Sequence, residues 1–346
     1  MVTEDFNDGL AAGTRSAYTK AIKRLARFGL QIGLVHDGWL LPPSELDLMF
    51  WVSQLAHVEG LSPGYIGTLL SGVQNSFLEW GCPSPMKDQH GQPLMGLHRV
   101  MRGIKRKLTK PRRTRLPITT VVLKRLMRRL TRGRAGKLGT DHACYRAMLS
   151  LGVYALLRQG EMTSTSTKSW DPMRQAAVSA ITFEYNDDGS YAAMVFRCVA
   201  SKCDVFRETV DIVVHATGTD DCPVLAMVEY LATRPKVLGV DTPLFVHQDG
   251  TYVTRGRLVS AMQQLLTECG YSQTSYSTHS LRIGGCCSLA AAGFGREVIA
   301  VYGRWKSDSL LRYLQLGRAT LQQASKGMAH ITQLQLDRRG HTGLRR

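Results

Sequence analysis

The chain has 346 residues, more than one hydrophobic core usually fills, so two domains are expected. Its 44% hydrophobic and 21% charged residues exclude wholesale disorder, and no apolar run approaches the roughly eighteen residues of a membrane span, Ala147–Leu157 being far too short. A net charge of +17 favours a polyanionic partner, and the acidic N-terminal stretch lacks the basic-then-apolar order of a secretory signal, so an intracellular protein without membrane contact is expected.

The first hundred residues read as four amphipathic helices. Thr14 can cap the first, with Tyr18, Ile22, Leu25, Phe28 and Ile32 recurring at three and four. Ser44 opens the second, with Leu46, Met49, Phe50, Val52 and Leu55 as its apolar set. Ser62-Pro63 starts the third, which Gly81 ends after Leu70, Val73, Phe77 and Trp80. The fourth runs from about Leu94 to Leu108. Four such helices with short links make a small bundle over residues 1–109. Residues 110–117, with two prolines and four cations, form a basic linker, and 118–346 make a second domain with a helical tail.

In that domain helices are expected at about 119–131 and 141–157. Three antiparallel strands follow, at Ala180–Tyr185, Tyr191–Val199 and Arg207–Val214. Helices then return at roughly 223–234, 255–269, 280–292, 296–303 and 308–316, and an amphipathic tail spans about 319–336. The predicted class is mainly α with a small antiparallel β-sheet. No strand–helix alternation or glycine-rich phosphate loop suggests a doubly wound nucleotide-binding fold.

Between Arg99 and Lys137 there are sixteen basic residues and no acidic ones, which leaves the rest of the chain near neutrality. Arg99, Arg102, Lys105, Arg106, Lys107, Lys110, Arg112, Arg113 and Arg115 are the candidate nucleic-acid contacts, since each neutralised phosphate releases counterions and favours binding. A solvated linker or localisation signal would use the same composition. The eight cysteines form no Cys-x-x-Cys pair and no zinc-ligand spacing, so reduced thiols and no metal are expected.

Reactive side chains stand in several unusual settings. Arg158 and Glu161 lie three apart at the end of an apolar helix. Lys202 is in the second hairpin, and His279 and Arg282 share one helical turn. Gly303-Arg-Trp305 and then Tyr313 follow. Each is weak alone; a His-x-x-Arg is expected about once by chance in a chain of this composition. Their order is more specific. It resembles that of the tyrosine recombinase (phage integrase) family over residues 145–316, and the helical first half with its basic linker is similar in architecture to the family's core-binding domain. The wording His-Ser-Leu-Arg-Ile-Gly-Gly and Gly-Arg-Trp-Lys-Ser-Asp resembles recombinases of crypton and DIRS mobile elements. Three departures stand out. Trp305 occupies a position that is His in many members. Trp305 and Tyr313 are eight residues apart, which leaves Tyr302 as a rival nucleophile. Lys202 lacks flanking glycines, with Lys168 a distant second choice, and residues 163–177 look like an insertion.

The resemblance implies a helical core-binding domain and a mixed α/β catalytic domain that cleaves and rejoins double-stranded DNA. Tyr313 attacks the phosphate to give a 3′-phosphotyrosyl link and a free 5′-hydroxyl. Arg158 and Arg282 clamp the phosphate oxygens, His279 handles the phenolic proton, and Lys202 is the general acid. Trp305 donates to a phosphate oxygen or packs the site, and Glu161 orients Arg158. No cofactor or metal is implied. Dimers on each site and a tetramer in synapsis are, with the tail docking on a neighbour or on its own domain. The same constellation serves type IB topoisomerases, and a recombinase descendant that no longer cuts would be a DNA-binding protein. The nucleus is the expected address in a eukaryote, the cytoplasm or nucleoid in a bacterium.

Overall fold

The computed structural model describes residues 9–108, 115–131, 139–199, 209–236, 239, 241–305 and 310. The chain divides into two compact units, Met1–Arg112 and Arg113–Arg346. The class is the expected one, mainly helical with a three-stranded antiparallel sheet, plus a two-stranded hairpin that the sequence reading does not include. Among the described residues no helix is long and apolar enough to cross a membrane.

The first unit is built from α1 (Ala12–Ile32), the hairpin β1 (Val35–His36) and β2 (Trp39–Leu40), α2 (Glu45–His57), α3 (Pro63–Glu79) and α4 (Met95–Leu108). Helix α1 starts two residues before Thr14, after Ala11, and stops at Gly33, whose φ of 74° turns the chain. Asp37 and Gly38, both with positive φ, make the tight hairpin turn. Ser44 caps α2 as expected, accepting from the Asp47 N–H while the Asp47 carboxylate accepts from the Ser44 N–H.

The buried face of α2 differs from the predicted one. Leu48, Trp51, Val52 and Leu55 are inside, whereas Leu46 and Phe50 are 58% and 62% exposed. The helix carries two apolar stripes, and the stripe with full i, i+3, i+4, i+7 spacing takes the core. In α3, Ser62 caps and Pro63 takes the first position; Ile66, Leu69, Val73 and Phe77 are buried. Trp80 lies past the helix and is half exposed. Gly72 lets α3 approach α1, since a Cβ there would lie 2.8 Å from that of Ala21. Helix α4 buries Leu97 and Ile104. Glu45 of α2 accepts from the Leu97 N–H at 3.0 Å, satisfying one open donor of its first turn.

The second unit surrounds α6 (Thr140–Tyr154), which is buried on nearly every side. Packed with it are α5 (Thr120–Thr131), α8 (Pro223–Thr233), α9 (Arg255–Glu268) and α10 (His279–Ala291). Strands β3 (Ile181–Tyr185), β4 (Tyr191–Cys198) and β5 (Val210–His215) form the sheet with β4 in the middle, paired Met194 to Phe183 and Met194 to Val214. Helix α6 ends at Tyr154 and not near 157; a one-turn helix α7 (Gln159–Met162) follows, and α11 (Arg296–Tyr302) comes after α10. The end of the expected linker is folded onto this unit. The Leu116 N–H donates to the Ser275 carbonyl at 2.9 Å and the Ile118 N–H to that of Ser280 at 2.8 Å.

Helix α10 is set by two glycines. A Cβ on Gly284 would meet the Ile118 carbonyl oxygen at 1.8 Å, and one on Gly285 would meet Leu156 Cδ2 at 2.2 Å and the Val153 carbonyl at 2.3 Å. The helix therefore lies backbone-on-backbone against the end of α6. Gly285→Ala is expected to lower the stability of the second unit by about 1–3 kcal/mol or more through overpacking. Gly67→Ala, where a Cβ meets nothing within 4 Å, should raise that of the first by about 0.5–1 kcal/mol. Urea unfolding of the two variants checks both signs.

Candidate active site

The site is organised around the turn that follows α6. Leu156 has a φ of 49°, in the left-handed region, where a side chain other than glycine is strained. Its side chain is fully buried in a cluster with Cys286 and Ile299. Its carbonyl accepts from Arg282 Nη1 and from Arg304 Nη2, the latter at 3.3 Å.

Two residues on, Arg158 stands in extended conformation as the N-cap of α7, so it heads a separate turn and does not end α6. Glu161 reaches back to it. One carboxylate oxygen accepts from the Arg158 N–H at 2.8 Å and the other from Arg158 Nη1 at 3.0 Å. The carboxylate is only 5% exposed and pairs also with Arg304, Nη2 to Oε2 at 3.2 Å. Glu161 thus holds both the backbone and the guanidinium of Arg158 and serves a second guanidinium as well.

His279 and Arg282 come from the first turn of α10. His279 is exposed at the surface, while Arg282 is 1% exposed. The Arg282 fork donates to the Leu156 and Gly303 carbonyls, and its carbon lies 3.9 Å from the centre of the Trp305 ring. Trp305 therefore packs against a cation. With its amide turned to satisfy both neighbours, Gln159 donates to Thr278 Oγ1 and accepts from Arg255 Nε at 2.8 Å, joining the Arg158 turn to the start of α10.

The charges interact. Burial first, then Arg158 and Arg304, draw the Arg282 pKa down to about 10, so it stays cationic at neutral pH. Lost hydration first, then the charges of Arg282 and Arg158, hold the His279 imidazole below its usual value.

Of the predicted catalytic residues, Arg158, His279, Arg282 and Trp305 come together with Glu161. Lys202 and Tyr313 lie outside the described residues, as do Lys110, Arg112 and Arg113. Lys168 is exposed on the 163–177 loop. The rival Tyr302 has its hydroxyl committed, donating to the Tyr154 carbonyl at 2.7 Å, and burial raises its pKa. Arg304 is the residue that sequence reasoning passed over. Its signal was the Gly303-Arg-Trp305 motif, read there for its tryptophan alone.

The basic run is not one surface. On α5, Arg128 pairs with Asp220, Arg129 with Glu268 and Lys124 with Asp221, while Arg125 contacts Tyr271. Arg115 donates to the Thr274 and Tyr276 carbonyls. On α4, Arg99, Arg102, Lys105, Arg106 and Lys107 are exposed, and among the described residues none pairs with a carboxylate.

No protein-family model matches the chain, and no curated protein sequence is significantly similar. Solved structures are similar in fold. A Tn1549 transposon integrase in complex with transposon right end DNA superposes with a TM-score of 0.50 at 15% identity, over 91% of this chain and 99% of that one. The XerH site-specific recombinase bound to a palindromic difH substrate gives 0.57 at 13% identity, over 91% and 80%. A lambda integrase dimer bound to a COC′ core site gives 0.53 at 15% identity, over 89% and 90%. These likenesses span both units, and the chain has the tyrosine recombinase fold.

Proposed function

We propose that the chain is a site-specific DNA recombinase or integrase that cuts and rejoins strands through a 3′-phosphotyrosyl intermediate. The observation that carries this reading is the gathering of Arg158, Arg282 and Arg304 around one turn with His279 beside them, in a tyrosine recombinase fold. Like charges gather in a partly dehydrated place only when their arrangement is fixed, and the ligand such a place favours is an anion.

In this reading the scissile phosphate meets Arg158 first, with Arg282 adding its charge from the layer beneath. As Tyr313 attacks, negative charge grows on the non-bridging oxygens, where fixed cations stabilise the transition state more than the ground state. His279 takes the phenolic proton and returns it on religation, and Lys202 protonates the departing 5′-oxygen. Exchange between two duplexes breaks four strands with one tyrosine each, so four protomers act together, two on each site. The free cations of α4 grip the phosphate backbone outside the cutting site.

Nicked duplexes carrying candidate element ends test the chemistry. A denaturation-resistant protein–DNA adduct is expected, abolished by Tyr313→Phe and kept by Tyr302→Phe; the reverse pattern overturns the nucleophile assignment. Added EDTA should leave the yield unchanged.

The depressed His279 pKa fixes a sign. The neutral imidazole is the base, so adduct formation should hold down through the usual histidine value near 6.5 and fall only below it. His279→Gln should be slow throughout and lose that acid limb in single-turnover rates.

Salt dependence tests the DNA grip. Arg106→Ala on α4 should reduce the slope of log affinity against log salt by about 0.9, and Arg128→Ala, whose cation is already paired, should leave it unchanged.

A further inference from the structure

Resting on the reading above, we infer that Arg304 is a positioning residue that ties the Arg158 turn, the Leu156 carbonyl held by Arg282 and the end of β4 into one unit. Three contacts carry this. Arg304 Nη2 pairs with the Glu161 carboxylate that holds Arg158. The same nitrogen shares the Leu156 carbonyl with Arg282. Arg304 Nη1 lies 3.3 Å from Cys198 Sγ, at the end of β4, four residues before Lys202 in sequence.

The local backbone agrees with such a role. Arg304 has a φ of 58°, a conformation that L side chains adopt at a cost of about 1–2 kcal/mol and that persists where surrounding contacts over-determine it. Its side chain is only 12% exposed, so it is turned into the protein. Gly303 beside it is obligatory, because a Cβ would strike the Trp305 ring at 1.5 Å. A guanidinium suits the task, since its planar fork can donate to a carboxylate, a carbonyl and a thiol sulfur at once, which a lysine ammonium on a flexible stem holds less rigidly.

The test compares wild type, Arg304→Ala, Arg304→Lys, Glu161→Gln and the Arg304→Ala/Glu161→Gln double variant. At saturating DNA, adduct formation by Arg304→Ala should slow on the order of a hundredfold, as for a misplaced clamp. Its DNA affinity should stay within about twofold of wild type. The double variant should be no slower than the slower single one, because both remove the same link. Thermal unfolding of the same four-member cycle should show coupling between positions 304 and 161. Cutting at the wild-type rate, or affinity falling in step with rate as a direct DNA contact requires, overturns the proposal. If Arg304→Ala does not fold, Arg304→Lys carries the comparison, with a slower chemical step at near-wild-type melting temperature as the supporting result. Should wild type form no adduct at all, the recombinase reading fails. The thermal cycle then decides the bridge alone, and absent coupling rejects it.

Discussion

Two acceptors, the Glu161 carboxylate and the Leu156 carbonyl, hold three guanidinium groups together, and the geometry of the site depends on them. Unit charges ~4 Å apart repel by about 4 kcal/mol at the effective dielectric of a protein surface, so such a cluster disperses unless fixed acceptors oppose it. The left-handed conformation of Leu156, at about 1–2 kcal/mol, is small beside that repulsion. It is held from behind. The Leu156 side chain occupies the space a Cβ on Gly285 would take, and Gly285 belongs to the helix that supplies His279 and Arg282. Packing between α10 and the end of α6 thereby sets the direction of a carbonyl, and the carbonyl sets two arginines.

The division of the basic run follows from the same bookkeeping of partners. Cations on α5 face acids brought from Asp220, Asp221 and Glu268, nearly a hundred residues or more away in the chain. Those on α4 meet none among the described residues, and their charge remains available to a polyanion. Paired surface cations contribute little to counterion release, because binding a phosphate would require giving up the carboxylate first. The unpaired positive surface is smaller than the sequence count of sixteen suggests, since Lys124, Arg128 and Arg129 are already matched by acids.

The legible parts of the chain were those whose cause is local. Ser44 and Ser62-Pro63 mark helix starts through their own hydroxyls and ring, and the strands around the Asn186–Ser190 turn follow from alternation and a turn cluster. Where two local patterns competed, as on α2, the phase of the buried face was not decided by sequence, since the winning stripe depends on what packs against it. The break after Tyr154 was hidden for a similar reason. Ala155-Leu-Leu continues an apolar helix well, and the turn goes with two distant partners that local sequence does not reveal, the guanidinium groups of Arg282 and Arg304 on the Leu156 carbonyl and the close approach of Gly285. Side-chain order led to Arg158, His279, Arg282 and Trp305, but a backbone carbonyl leaves no mark in sequence, so the hub at Leu156 was not visible, and the Gly303-Arg-Trp305 motif pointed to its tryptophan before Arg304.

The burial of Arg282 has a functional consequence. In the described state its fork meets two carbonyls and an indole face, and burial first, then crowding by Arg158 and Arg304, lowers its proton affinity without discharging it at neutral pH. A phosphate arriving beside Arg158 introduces the charge that relieves this crowding, so part of the cost of assembling the cluster during folding returns as affinity for the anion. That return grows as the phosphate gains negative charge in the transition state, because the cations are already in place and need no reorganisation. In the proposed reaction, a site held by its own backbone carbonyls is prepared before DNA arrives, and the substrate's growing charge supplies the differential that speeds cleavage.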